Sequence, residues 1–172
     1  MKTFQRLLFL VALAAPLAVP MAAQAAVEVT YTNPDKFFDV GPYGRYGSKE
    51  RAAVLSKLRA HMESLDGRYL KPGQTLKIEV LDLDLAGRLE WWHPSAYDIR
   101  IMRAVDSPSM KVRYVLEENG ATRLSGEERI SDMTYLMGLH SAGRNSDTLT
   151  YEKTMLSDWF RNRFGKLNAA AN

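Results

Sequence analysis

Apolar and polar residues alternate with period two along Thr75-Leu-Lys-Ile-Glu-Val-Leu-Asp-Leu-Asp-Leu85, the pattern of a strand with two unlike faces. Tyr97-Asp-Ile-Arg-Ile-Met-Arg103 alternates in the same way and reads as its antiparallel return. Setting Asp82 opposite Arg100 places Leu81 opposite Ile101, Leu83 opposite Ile99, Val80 opposite Met102 and Glu79 opposite Arg103, so every pair matches in charge or apolarity. A slip of one residue destroys the matches, and each pair contributes about 0.2–1 kcal/mol. In this hairpin Leu81, Leu83, Leu85, Ile99 and Ile101 share one face. The other face begins with Leu76, Ile78, Val80 and Met102, then turns to Asp82, Asp84, Asp98 and Arg100, which predicts an acidic end left uncovered.

The remaining chain supplies further elements of both kinds. Val27 to Thr32 alternates as a first strand, ended by Asn33-Pro34-Asp35, and Phe37 and Phe38 are expected to staple the following loop to the core. Leu55, Leu58, Met62 and Leu65 recur at helical spacing, so Ser48 to Asp66 is a helix with Ser48 as N-cap, His61 at the edge of its buried stripe and Gly67 as its stop. Lys71-Pro72-Gly73-Gln74 has the residues of a type II turn.

Met110 to Glu117 and Thr122 to Glu127 form a second hairpin. A tight Asn119-Gly120 turn would set Val112 against Glu127 and Leu116 against Arg123. A three-residue loop, Glu118-Asn119-Gly120, instead aligns Val112 with Gly126 and Tyr114 with Leu124 and is preferred. Asp147 to Phe164 is a second amphipathic helix, with Met155, Trp159 and Arg163 beside Leu156, Phe160 and Phe164 on a broad stripe and Gly165 at its end. The expected fold is α+β and two-layered: a largely antiparallel sheet, a meander of about five strands, with two amphipathic helices packed on it.

Composition changes this picture mainly at the start of the chain. Lys2 and Arg6, the apolar run Leu7 to Val19 and the small residues of Ala23-Gln24-Ala25 have the form of a signal peptide cleaved after Ala25, leaving residues 26–172 as one domain. The run is too short to span a bilayer, which takes about 20 residues. Two of the 23 basic residues would leave with it, against 20 acidic ones, so the net charge falls from +3 to about +1. That balance argues against nucleic acid as a partner. The chain has no cysteine, which removes disulfides, a thiolate nucleophile and a lipid-acceptor thiol. The expected location is the periplasm, as a soluble protein with no membrane span.

Candidate chemistry falls in three places. Tyr43, Arg45 and Tyr46 in the loop Lys36 to Gly47, and Trp91, Trp92 and His93 in the turn Ala86 to Ala96, are side chains suited to binding a ring-bearing or anionic ligand. Asp82, Asp84 and Asp98 form the acidic cluster; three carboxylates with His93 nearby suit acid–base chemistry or a hard metal, whereas Arg88 and Arg100 suit them to ion pairing. His140-Ser141 with Asp132 and Asp147 contains hydrolase residue types without a nucleophile elbow. No catalytic residue, metal ligand or cofactor is therefore assigned. The expectation is a non-catalytic binding domain of the cell envelope, its partner an envelope protein or glycan and its oligomeric state left open. The competing class is an envelope hydrolase or metal-dependent enzyme using the Asp/His cluster.

Several of these stretches are long enough to be compared as motifs. Val27-Glu-Val-Thr-Tyr31, Leu76-Lys-Ile-Glu-Val-Leu-Asp-Leu-Asp-Leu-Ala-Gly-Arg88, Asp98-Ile-Arg-Ile-Met-Arg103, Ser125-Gly-Glu-Glu-Arg-Ile-Ser-Asp-Met133 and Tyr151-Glu-Lys-Thr-Met-Leu-Ser-Asp-Trp-Phe160 together resemble the proteobacterial secreted family called domain of unknown function 3016. The resemblance runs from Val27 to Phe164. It implies an exported single domain and brings no activity with it.

Overall fold

Val27 and Val29, the inward positions of the first alternating stretch, open a four-stranded sheet in the computed structural model, which describes residues 24–40, 47–90, 100–137 and 149–170. The sheet consists of β1 (Ala26–Tyr31), β2 (Gln74–Asp84), β5 (Ser109–Glu118) and β6 (Ala121–Ser131), in the spatial order β1-β2-β5-β6. β1 runs parallel to β2, and the other two pairings are antiparallel. A separate two-stranded ribbon pairs β3 (Arg88–Leu89) with β4 (Arg100–Ile101). The α+β, largely antiparallel expectation holds, with β1 added in parallel.

The partner of β2 is not the one expected. Its neighbours are β1 and β5, and Arg100 and Ile101 pair with Leu89 and Arg88 instead of Asp82 and Leu81. Charge and apolarity matching does not define a unique partner: β5 satisfies it equally, with Leu76 opposite Leu116, Val80 opposite Val112 and Glu79 opposite Arg113. Gly87, at φ 72°, turns the chain directly after β2. A side chain there would meet the Ile101 carbonyl oxygen at 2.6 Å, so this glycine also permits the close return of β4.

The expected change of face along β2 is a β-bulge. The register against β5 shifts between Val80 and Asp82, leaving Leu81 as the additional residue. Inward positions are therefore even up to Val80 and odd after it, and Leu76, Ile78, Val80, Leu83 and Leu85 are all buried in one core. Lys77, Glu79, Asp82 and Asp84 share the opposite, polar face. The β5–β6 hairpin has a second irregularity: Glu118 pairs with Ala121 across the two-residue Asn119-Gly120 turn, and a bulge then shifts the register between Leu116 and Glu117. Both turn residues have positive φ, 51° and 81°, as a tight hairpin turn requires. The three-residue loop is thus corrected: it would take Glu118 out of β5, whereas the bulge takes a residue out of β6, so Leu116 opposes Leu124 and Tyr114 opposes Gly126, two residues further along β6 than that loop would set them.

Helices cover the apolar face. α1 (Ser48–Glu63) buries Leu55, Leu58 and Met62, and α3 (Thr150–Phe160) buries Met155, Leu156, Trp159 and Phe160. Gly47, not Ser48, is the N-cap of α1, and the helix breaks at Ser64-Leu65 before α2 (Asp66–Tyr69), which contains Gly67. His61 Nε2 lies 3.0 Å from both Lys153 O and Ser157 Oγ, tying α1 to α3. Gly165 does not end the last helix: a π-helical turn, Arg161–Gly165, leads into α4 (Lys166–Ala170). There Gly165 lies against the Tyr69 ring, which a Cβ would approach to 3.2 Å. The Lys71–Gln74 turn has Gly73 at φ 83° and a Gln74 N–H to Lys71 O bond of 3.0 Å, as its sequence predicts.

Candidate functional site

Asp82 and Asp84 leave the polar face of β2 just past its bulge, and neighbouring segments hold both. Asp82 accepts the Phe38 N–H at 3.0 Å and lies 3.4 Å from Arg129 Nη2. Asp84 pairs with Arg88, whose Nε also reaches Asp106 at 3.1 Å and whose guanidinium sits 4.8 Å over the Phe38 ring. Burial raises the Asp84 carboxyl above its ordinary range, with Arg88 opposing. Phe37 is buried in the core, whereas Phe38 is half exposed beneath Arg88. Tyr43, Arg45, Tyr46, Trp91, Trp92, His93 and Asp98 lie outside the described residues, as do His140, Ser141 and Asp147.

A buried ionic cluster lies beneath the end of β2. Arg100, assigned from the sequence to Asp82, instead places Nη2 2.6 Å from Asp39 Oδ2 and donates through Nη1 to the carbonyls of Ala86 and Gly87 at 3.1 and 2.6 Å. Asp39 also accepts the Leu85 N–H, and Glu152 Oε1 accepts that of Ala86 at 2.7 Å. Asp39 and Glu152 are 4% and 2% exposed, so the backbone of the Leu85–Gly87 turn is satisfied by charges taken out of water. Glu152 Oε2 has no partner among the described residues, and burial raises its carboxyl above the ordinary range. Glu90, also buried, pairs with Arg103. One signal of this cluster was legible: Glu152 falls on the apolar stripe of α3, one turn before Met155 and Leu156, where an acid needs a buried partner.

The cluster joins segments distant in the chain. Asp39 and Val40 come shortly before Tyr43, Arg45 and Tyr46 in sequence, Glu90 and Arg100 stand on either side of Trp91, Trp92 and His93, and Leu149 to Glu152 follow His140 and Ser141. One residue from each of these segments, Asp39, Arg100 and Glu152, thus meets the Leu85–Gly87 turn. Tyr135 continues the assembly, its hydroxyl donating to Arg103 O at 2.6 Å and its ring meeting Tyr151 edge-on at 4.9 Å.

Two surfaces extend from this end. The polar sheet face carries a ladder of exposed ion pairs: Arg113 bridges Glu79 and Glu127 at 2.7 and 2.9 Å, Lys111 reaches Glu127 at 2.8 Å, and Lys77 reaches Glu117 at 2.8 Å. A hydrogen bond from Thr32, then Arg113, lowers the Glu79 pKa; Lys111 and Arg113 lower that of Glu127. Such exposed pairs add little stability and leave the face balanced in sign. The second surface is the edge of β6. Beside it a groove of about 340 Å³ runs between β6 and α3, lined among others by Glu128, Ile130, Asp132, Met155, Asp158 and Trp159. At its Asp132 end the turns 102–105 and 133–137, joined by the Tyr135–Arg103 bond, expose Met102, Val105, Met133, Leu136 and Met137.

This is a two-layer α+β fold in which, among the described residues, helices cover one face of the sheet and leave the other open. Among the described residues no helix is long and apolar enough to cross a membrane, and no group of three or more His, Asp or Glu side chains could hold a metal ion. The chain belongs to the family described as protein of unknown function (DUF3016), whose model matches residues 25–162. No curated protein matches it.

Proposed function

We propose that this protein is exported to the periplasm, with cleavage after Ala25, and acts there by binding an envelope protein or glycan rather than by catalysis. The observation that carries the reading is the apolar patch on the 102–105 and 133–137 turns beside the β6 edge. Val105, Met133 and Met137 are 85%, 78% and 86% exposed on two turns that the Tyr135–Arg103 bond joins, and large apolar side chains held in water near one another mark a candidate contact surface. The described stems of the loops bearing Tyr43, Arg45, Tyr46, Trp91, Trp92 and His93 meet at the same end of the molecule, which supports placing those residues in the contact. Export is supported by the position of β1, which opens at Ala26 and enters the sheet by Val27.

The hydrolase reading draws on one observation, the raised Asp84 carboxyl, but Asp84 is engaged by Arg88. The test places a photo-crosslinking residue at Met133, or at Lys57 on α1, in the producing cell, with the mass of the periplasmic species read in parallel. Adducts from position 133 alone, on a chain starting at Ala26, are expected. Turnover of ester, phosphate or glycan substrates that is lost in Asp84→Asn overturns the proposal.

A further inference from the structure

Resting on that binding reading, we infer that the edge of β6 takes up an extended segment of a partner protein, in which a basic side chain flanked by large apolar ones faces the groove, adding it to the sheet as a further strand. The ladder bond from Asp132 N to Pro108 O continues the β5–β6 pairing. Bonded and non-bonded pairs alternate in an antiparallel ladder, so Ser125, Glu127, Arg129 and Ser131 turn their backbone N–H and C=O groups away from β5. None of these groups has a backbone partner among the described residues, and such a row is a template for strand addition.

The groove supplies the selectivity. Its charged lining is Glu128, Asp132 and Asp158 against Arg129, which reaches away to Asp82 and Ser109 on the other face of the sheet. Glu128 accepts from Trp159 Nε1 and pairs with Arg163, and Asp158 pairs with Arg161; both arginines are exposed, so these pairs yield readily to a cation from a partner. Asp132 accepts only from Thr134 and has no cationic partner among the described residues. Ile130, Met155 and Trp159 add apolar lining, and Met133 and Met137 at the Asp132 end are flexible enough to fit differing apolar side chains. Alternate residues of an added strand face the groove, so the ligand reads apolar-x-basic-x-apolar. Pairing with a second copy suits the edge less well: the register that matches Glu127 with Arg129 sets Glu128 against its own counterpart.

The test uses fluorescein-labelled peptides of the form Thr-x-Thr-Lys-Thr-x-Thr, with x as Leu, Met, Val or Phe, titrated with the mature chain and followed by anisotropy. At least one should bind, with the Lys-to-Glu counterpart and the Asp132→Asn protein each weaker by about tenfold, the loss of one charge-assisted contact. Ser131→Pro removes an outward N–H without touching a ladder bond; it should abolish binding and leave the melting temperature unchanged. No binding by any peptide, equal affinity for the Lys and Glu forms, or full binding by Ser131→Pro overturns the inference. So does concentration-dependent dimerisation that Ser131→Pro removes. Each of these results leaves the crosslinking test of the binding reading standing, whereas substrate turnover lost in Asp84→Asn defeats that reading itself.

Discussion

Glu152 shows how one buried carboxylate makes stability depend on pH. Burial holds its carboxyl above the ordinary range despite the Ala86 N–H and the charge of Arg100, so the folded state binds the proton more tightly than the unfolded chain does. The penalty for the buried charge is absent below the unfolded pKa and fully present above the folded one, and stability falls as pH rises through that window. Glu152→Gln removes the titration. Its melting temperature should exceed that of the wild type at pH 7 and converge on it near about pH 4, where glutamic acid itself is largely protonated; parallel melting curves across that range would contradict the assignment. Gly126 carries a different constraint. A Cβ there would lie 2.9 Å from the Tyr114 hydroxyl, which accepts from Arg163 Nε at 2.8 Å while its ring packs against Trp159 and Phe164. With Tyr114 pinned, Gly126→Ala should lose about 1–3 kcal/mol in urea unfolding, the usual range for overpacking.

Elements are where the alternation of β2 proves misleading and also testable. Deleting Leu81 leaves Val80-Asp-Leu-Asp-Leu in unbroken alternation, so the strand regains a regular register against β5 with Leu83 and Leu85 still inward. The deletion should keep the native circular dichroism spectrum and cooperative melting. Deleting Leu83 instead drives an aspartate into the core and should unfold the domain, because an unpaired buried charge costs several kcal/mol. The same lesson holds for the β5–β6 hairpin. Asn119-Gly120 announced its tight turn in the sequence, but the inward pattern of Tyr114 and Leu116 favoured a longer loop, since a bulge has no residue signature that counting along two strands can detect.

Across the whole molecule, the ionic cluster fastens the end where the loop stems meet. Arg100→Ala leaves Asp39 buried without its guanidinium and removes the donor to the Leu85–Gly87 turn. Loss of one partner of a buried pair costs about 3–5 kcal/mol, and denaturant unfolding should show that loss together with faster amide exchange in residues 85–90. A change under about 1 kcal/mol, the value of an exposed pair, would mean that the cluster is hydrated in solution. Arg113→Gln on the open face serves as the comparison and should change stability far less than Arg100→Ala.

The sequence by itself determined the elements and their inward faces: Val27 and Val29, the stripes of the two long helices, the Lys71–Gln74 turn and the α+β class all follow from local periodicity, which acts within a few residues. It also carried the family resemblance. Tertiary structure alone decided that β2 lies between β1 and β5, that Leu81 is the extra residue of a bulge, and that Arg100 reaches Asp39. Those outcomes depend on competition between partners far apart in the chain, and several partners match a strand's charges and apolar positions equally well until the core, the Gly87 turn and the buried backbone bonds select one.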